Sequence, residues 1–402
     1  MIWILFYLLA VFLDLYSFQS FKTIFKGKTS RSLYFIVSWL VLIYFSFSYI
    51  ILKNESNGSL PLGLLIAFYT PKFILIIFNL IEDLFRVIVF IYRVIFKKNN
   101  SVNLIQRRKF ISKFSLGLAS IPFLSLNLGM IWGKHNFKVL SYDLFFEDLP
   151  PSFHNFTITQ ISDLHAGNIT NLKKLEHAVN LINSLDSNII VFTGDLVNNN
   201  ADELIPFLKT LSKLKANDGK FSILGNHDYG DYKQWPTEKM KRDNFDRIKK
   251  YQKEIGFELL LNEHKYLEKD CDKLAIIGVE NWGNGFIKKG DLNKASSKIN
   301  PKKFKILLTH DPTHWEKVAL KQKTNYNLTL SGHTHGGQFG IEIPGFIKWS
   351  PVQWRYKYWA GIYKVNNQIL NVNRGLGTTA VPGRVGVWPE ISVITLKRSN
   401  NI

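Results

Sequence analysis

Two textures divide the chain. Up to residue 133 the apolar positions come in long unbroken runs: 2–20, 33–52, about 62–81 and 114–132. Each is close to the roughly 20 residues a helix needs to cross a bilayer. Beyond residue 138 the apolar positions come in short β-branched bursts separated by polar stretches with helical spacing. That alternation predicts strands over 156–162, 188–193, 220–224, 273–279, 304–309 and 326–331, with later ones in 361–372 and 391–396. It predicts helices over 171–185, 201–214 and 239–255. The expected architecture is an all-α transmembrane region over residues 1–133 and an α/β domain over 134–402.

Charge orients the first part. The loop FKTIFKGKTSRS carries Lys22, Lys26, Lys28 and Arg31, and such loops stay in the cytoplasm. The polar loop at 53–60 is then external. After the third run, Glu82, Asp83 and Arg86 interrupt the apolar pattern and predict an amphipathic helix lying along the interface. Two short spans there are the alternative, and would reverse the parity. Basic residues at 97–109 precede the fourth run, which places residues after about 135 outside, with four spans in all. The segment RRKFISK, with Arg107 and Arg108, resembles a twin-arginine export signal read by an export machinery. An ordinary positive-inside flank is the plainer alternative.

The net charge of +20 is shared equally, +10 before residue 134 and +10 after it. The second half can attract anionic substrates or headgroups. No nucleic-acid-binding motif accompanies the charge, so a nucleic-acid partner is not expected. A single cysteine, Cys271, excludes internal disulfides and thiolate metal clusters. Any metal site must use oxygen and nitrogen ligands.

Those ligands are present in order: Asp163 and His165, then Gly194-Asp195, then Gly225-Asn226-His227-Asp228, then His310, then GHTHGGQ with His333 and His335. Each follows a predicted strand, where α/β folds build their binding crevices. On extended backbone, positions i and i+2 face one side, so Asp163 and His165 are expected to point together, and likewise His333 and His335. Asp195 can bridge two ions with its two oxygens, and Asn226 adds a neutral oxygen. Taken singly these motifs are turns, caps or structural histidines; the inference rests on their conjunction. His135, His154, His177, His264 and His314 are read as non-ligands.

The set resembles the calcineurin-like metallophosphoesterase family, and the GNHDYG and GHTHGGQ contexts are similar to its bacterial membrane-associated, YkuE-like branch. The resemblance covers about residues 150–400. It implies two mixed β-sheets packed together with helices outside, and two divalent ions (Mn, Fe or Zn). It implies one ion held by Asp163, His165, Asp195 and His335, and a second by Asp195, Asn226, His310 and His333. His227, backed by Asp228, would bind phosphate and assist the leaving group. The implied activity is hydrolysis of phosphomonoesters or phosphodiesters. The membrane runs suggest a bilayer-associated, lipid-linked substrate. A non-catalytic, metal-holding membrane sensor or scaffold is the rival.

Two further features are open at this stage. Arg374 and Arg384 flank a Gly-rich stretch and are candidates to bind a substrate phosphate. The aromatic cluster Trp349, Trp354, Tyr356, Tyr358 and Trp359 can be core or can meet the bilayer interface.

Overall fold

The computed structural model describes residues 1–51, 59–96, 103–343 and 345–399. Of the expected external loop at 53–60, residues 53–58 lie outside them, as do the basic residues Lys97 and Lys98. The chain separates into two compact units, Met1–Ile131 and Trp132–Ile402.

Among the described residues the first unit has four α-helices: α1 (Ile2–Ile24), α2 (Lys28–Ser46), α3 (Ser59–Phe96) and α4 (Leu104–Ile131). Three segments, Ile2–Ile24, Lys28–Tyr49 and Leu104–His135, are long and apolar enough to cross a membrane. Here the sequence expectation needs correction. The third apolar run and the stretch read as a separate interfacial helix form one continuous helix, α3. Of its two acids, Glu82 faces inward and Asp83 is partly exposed. Glu82 is buried and pairs with Arg86 at 3.0 Å and Arg107 at 2.9 Å, while Asp83 pairs with Arg108 at 3.0 Å. Both arginines of the twin-arginine-like motif thus tie α4 to α3. Deeper in the unit Lys72 of α3 pairs with Asp14 of α1, and Ser38 of α2 donates to Asp14 at 2.7 Å. An ionisable residue costs least in an apolar bundle when it is paired inside it.

The second unit holds two six-stranded mixed sheets. The first orders β1 (Lys138–Phe146), β14 (Glu390–Arg398), β2 (Phe156–Ile161), β3 (Ile189–Phe192), β4 (Gly219–Ser222) and β5 (Glu258–Leu259). The second orders β12 (Gly361–Val365), β13 (Gln368–Val372), β9 (Leu328–Ser331), β8 (Lys305–Leu308), β7 (Asp272–Gly278) and β6 (Glu263–Lys269). A separate hairpin joins β10 (Ile341–Ile343) and β11 (Ile347–Trp349). Strands β1, β5, β6, β10 and β11 went unpredicted, because their burial is one-sided or their residues mostly exposed.

The central strands are buried on both faces, and their side chains alternate between the two. Ile189 and Val191 of β3 join Ile306, Leu308, Leu328 and Leu330 of the facing sheet in the inter-sheet core. Ile190 and Phe192 face outward onto Leu175, Val179 and Ile182 of α5 (Leu172–Asn183), with Ile248 and Ile255 of the Glu238–Ile255 helix in the same cluster. The predicted helix at 201–214 is a tight 3₁₀ segment, Ala201–Phe207, then one α-turn, Leu208–Leu211. Pro206 lies inside it and cannot donate to an α-helical ladder. β2–β3–β4 and β8–β9–β13 are parallel, so their carboxyl ends all open on one edge of the domain.

Candidate metal centre

Every motif sits just past the end of one of those parallel strands. Asp163 and His165 follow β2, Asp195 follows β3, and Asn226 and His227 follow β4. His310 follows β8, and His333 and His335 follow β9. Extended backbone does not aim them, contrary to the sequence expectation. Asp163, His165, Asp195, His333 and His335 all have left-handed backbone, with φ of 50°, 48°, 60°, 71° and 51°. That conformation is costly for a residue with a Cβ and is kept where the surroundings hold it. The sharp turns direct the side chains into one cleft. Glycines make room: a Cβ on Gly332 would fall 2.2 Å from Asp163 Oδ2, and one on Gly225 would fall 2.2 Å from Asp195 Oδ1.

The side chains form two groups that share Asp195. His165 Nε2 lies 3.0 Å from His335 Nε2, which lies 3.4 Å from Asp163 Oδ1. Asp195 Oδ2 lies 3.5 Å from His165 Nε2 and 3.2 Å from His310 Nε2. His310 Nε2 is 3.2 Å from His333 Nδ1. One oxygen, Oδ2, therefore faces both groups, while Oδ1 accepts the His227 N–H at 2.9 Å.

These distances fit metal coordination. Donors bonded at about 2.0–2.2 Å to one ion sit about 2.8–3.6 Å from each other. The charge states fit as well. Burial holds His165 at about 3 and His333 at about 4, and it drives His335 far below the usual imidazole value. A neutral ring is the form that ligates a metal. Burial also disfavours charge on His310, but the adjacent Asp195 carboxylate outweighs it and raises the ring to about 10. To ligate, Nε2 must release that proton, and a divalent ion beside Asp195 would supply the positive charge in its place. Asn226 gives the plainest sign. Its Nδ2 donates to Tyr232 Oη at 2.8 Å, while its buried Oδ1 has no hydrogen-bond partner. A buried carbonyl oxygen left without a donor is expensive, and a cation satisfies it.

The sequence matches two family models. The description "Probable Calcineurin-like phosphoesterase, transmembrane domain" covers residues 1–134, and "Calcineurin-like phosphoesterase" covers residues 156–337. The uncharacterized metallophosphoesterase YkuE of Bacillus subtilis is 35% identical over 260 residues, spanning 63% of this chain and 82% of that protein. The chain belongs to the calcineurin-like phosphoesterase family. A zebrafish (Danio rerio) transmembrane protein with a metallophosphoesterase domain is 29% identical, spanning 65% of this chain and 58% of that protein. The uncharacterized metallophosphoesterase Cj0846 of Campylobacter jejuni is 24% identical across 90% of both chains, so the likeness extends over both units. Like its transmembrane relatives, this phosphoesterase is a membrane protein.

The surrounding partners were partly hidden in the sequence. Asn198, in an unremarkable run of asparagines, serves two histidines: its Oδ1 meets His165 Nδ1 at 2.9 Å and its carbonyl meets His227 Nδ1 at 2.8 Å. The Thr193 carbonyl takes His310 Nδ1 at 2.7 Å, and Tyr356 Oη lies 2.8 Å from His333 Nε2. Such contacts fix which ring nitrogen is free to ligate.

Three expectations are corrected. Asp228 does not back His227. Its carboxylate accepts the N–H groups of Asp195, Leu196 and Gly225 at 2.8–2.9 Å, bracing the two ligand loops against each other. Arg374 does not face the cleft; it is buried against Glu342 and Glu390. Arg384 is fully buried too, donating to the carbonyls of Arg374 and Gly377 at 2.7 and 2.6 Å. One of its nitrogens stands 3.3 Å from His335 Nδ1, where its charge helps keep that ring neutral. Both guanidiniums are buried among these internal partners rather than exposed to a substrate phosphate. The aromatic cluster splits: Tyr356, Tyr358 and Trp359 are buried, whereas Trp349 and Trp354 are exposed.

Proposed function

We propose that this protein hydrolyses phosphoesters at a two-metal centre. The supporting observation is the convergence of six donor side chains on two groups sharing Asp195 Oδ2, together with the partnerless Asn226 Oδ1. In this reading Asp163, His165, Asp195 and His335 hold one divalent ion, and Asp195, Asn226, His310 and His333 hold the other. Mn, Fe or Zn suits such an oxygen and nitrogen set. When bound, such ions polarise a phosphoryl oxygen and make water a nucleophile near neutral pH.

The chain's own residues supply orientation and proton handling. A backbone carbonyl can only accept, so His227 carries its proton on Nδ1 toward Asn198. Nε2 is then left to take up a second proton and, so protonated, to donate to a phosphoryl or leaving-group oxygen. The Tyr232 ring, 4.5 Å from that of His227, limits its rotation. Its hydroxyl holds the Asn226 amide so that Oδ1 points inward. Arg355 is exposed, with its guanidinium over the Phe286 and Tyr356 rings, and Tyr356 touches His333. It takes the anion-attracting part once expected of Arg374 and Arg384. The substrate is a phosphomonoester or phosphodiester at the membrane, lipid-linked in the favoured case. A cytoplasmic FKTIFKGKTSRS loop, with α3 counted as a fourth span, supports a catalytic unit on the outer face. Arg107 and Arg108 act as a helix clasp in this reading, ahead of an export signal.

The full chain in detergent with added Mn²⁺ should release the chromophore of an aryl phosphate ester, and Asp195→Ala should abolish release. Full turnover by that variant, or by wild type stripped with chelator, contradicts the proposal.

A further inference from the structure

The β10–β11 hairpin is built inside out. Its register pairs Ile341 with Trp349, Glu342 with Lys348, and Ile343 with Ile347. Side chains alternate faces along a strand, so the charged pair shares one face and four apolar side chains share the other. The charged face turns toward the domain: Glu342 binds Arg374, and Lys348 donates to the Ala360 carbonyl with its ammonium over the Trp359 and Tyr363 rings. The apolar face is exposed. Ile341, Ile343, Ile347 and Trp349 are 37–51% exposed, Phe346 beside the turn 85%, and Trp354 just beyond 78%. Six of the thirteen exposed large hydrophobics among the described residues after Ile131 therefore fall in one stretch of fourteen residues. A soluble surface scatters such residues singly; a contiguous apolar patch marks a contact surface. A lone two-stranded hairpin also needs its apolar face covered to be stable.

We propose that this hairpin seats in the interfacial layer of a lipid bilayer. Three observations favour lipid over protein. The chain carries its own membrane-crossing helices, the last ending where the catalytic unit begins, so a bilayer is within reach by connectivity alone. Tryptophan, of which the patch holds two, favours the headgroup boundary. Arg355 and Lys357, both exposed, follow the patch and match anionic headgroups. Position gives the docking a chemical consequence, which rests on the phosphoesterase reading. The hairpin begins three residues after Gln338, the end of the motif bearing His333 and His335. The segment that leaves it reaches Tyr356, bonded to His333. Seating the hairpin brings the mouth of the metal centre to the phosphate layer, so the class of substrate it serves is a phosphoester whose other end is embedded in lipid.

Site-directed spin labelling of the full chain in vesicles of phosphatidylcholine and phosphatidylglycerol tests the docking without needing activity. A failure here is thereby separated from a failure of the enzymatic reading. Cys271, the sole cysteine, is replaced (Cys271→Ser), and labels are placed by Phe346→Cys, by Trp354→Cys and, as an aqueous control, by Tyr266→Cys. The first two sites are so exposed that the fold tolerates the change. The expected result is several-fold greater collision with oxygen and several-fold weaker collision with a water-soluble nickel chelate at 346 and 354 than at 266. Nickel accessibility equal to that at 266 overturns the proposal. So does shielding from both reagents, which means the patch is covered by protein, a second copy or this chain's own helices.

Discussion

Both units bury acidic side chains, and they differ in what balances them. In the helical unit every buried carboxylate among the described residues meets a resident cation: Asp14 has Lys72, and Glu82 has Arg86 and Arg107. At the carboxyl edge of the sheets, Asp163 and Asp195 face imidazoles that burial keeps neutral, save for His310. A finished ion pair is a structural joint; carboxylates set among neutral imidazoles form a donor set suited to a cation. The sheet unit contains both kinds. Arg374 with Glu342 and Glu390 is a finished joint, and the residues around Asp195 are not.

That contrast can be broken experimentally. His227→Ala should lower kcat on an aryl phosphate by on the order of 10²–10⁴, because His227 handles protons rather than completing the donor set. Its metal content should stay unchanged; a matching loss of metal would make it a ligand instead. A smaller effect is expected from Asn198→Ala. It removes the amide that orients His165 but keeps the carbonyl that holds His227, so metal affinity should fall about 10–100-fold. Titrating metal back while following turnover measures this, and should restore the rate at high metal concentration. In the helical unit Asp14→Ala should leave turnover of a soluble ester intact. It should cost stability, about 3–5 kcal/mol, by stranding Lys72 in an apolar bundle. Unfolding in detergent should show that loss partly recovered in Asp14→Leu with Lys72→Met; no recovery would mean that the pair is more than a joint.

What could be read in advance follows the same division. Donor chemistry is local: Asp, His and Asn announce themselves by type, and the strands before them by period, so the five motifs and the strands that carry them could be expected from the chain alone, whereas the two-sheet arrangement is implied only by the family resemblance. Partners are not local. Arg374 looked like a phosphate binder because nothing near it signals Glu342, thirty-two residues earlier, or Glu390. Asp228 adjoins His227 in the chain yet spends its oxygens on backbone N–H groups across the Asp195 loop. The i, i+2 argument failed for a related reason. It assumed extended backbone, and the ligand turns are left-handed at Asp163, His165, His333 and His335. The hairpin escaped notice because its alternation is short and its apolar side is not buried by the domain.

The most direct test is to count metal in the purified full chain by elemental analysis after loading and desalting. Wild type should hold about two divalent ions per chain, and Asp195→Ala, which removes the oxygen facing both groups, should hold far fewer with no turnover. A wild-type chain that turns over fully while holding no metal, or an Asp195→Ala variant that keeps both ions and its rate, would contradict the account.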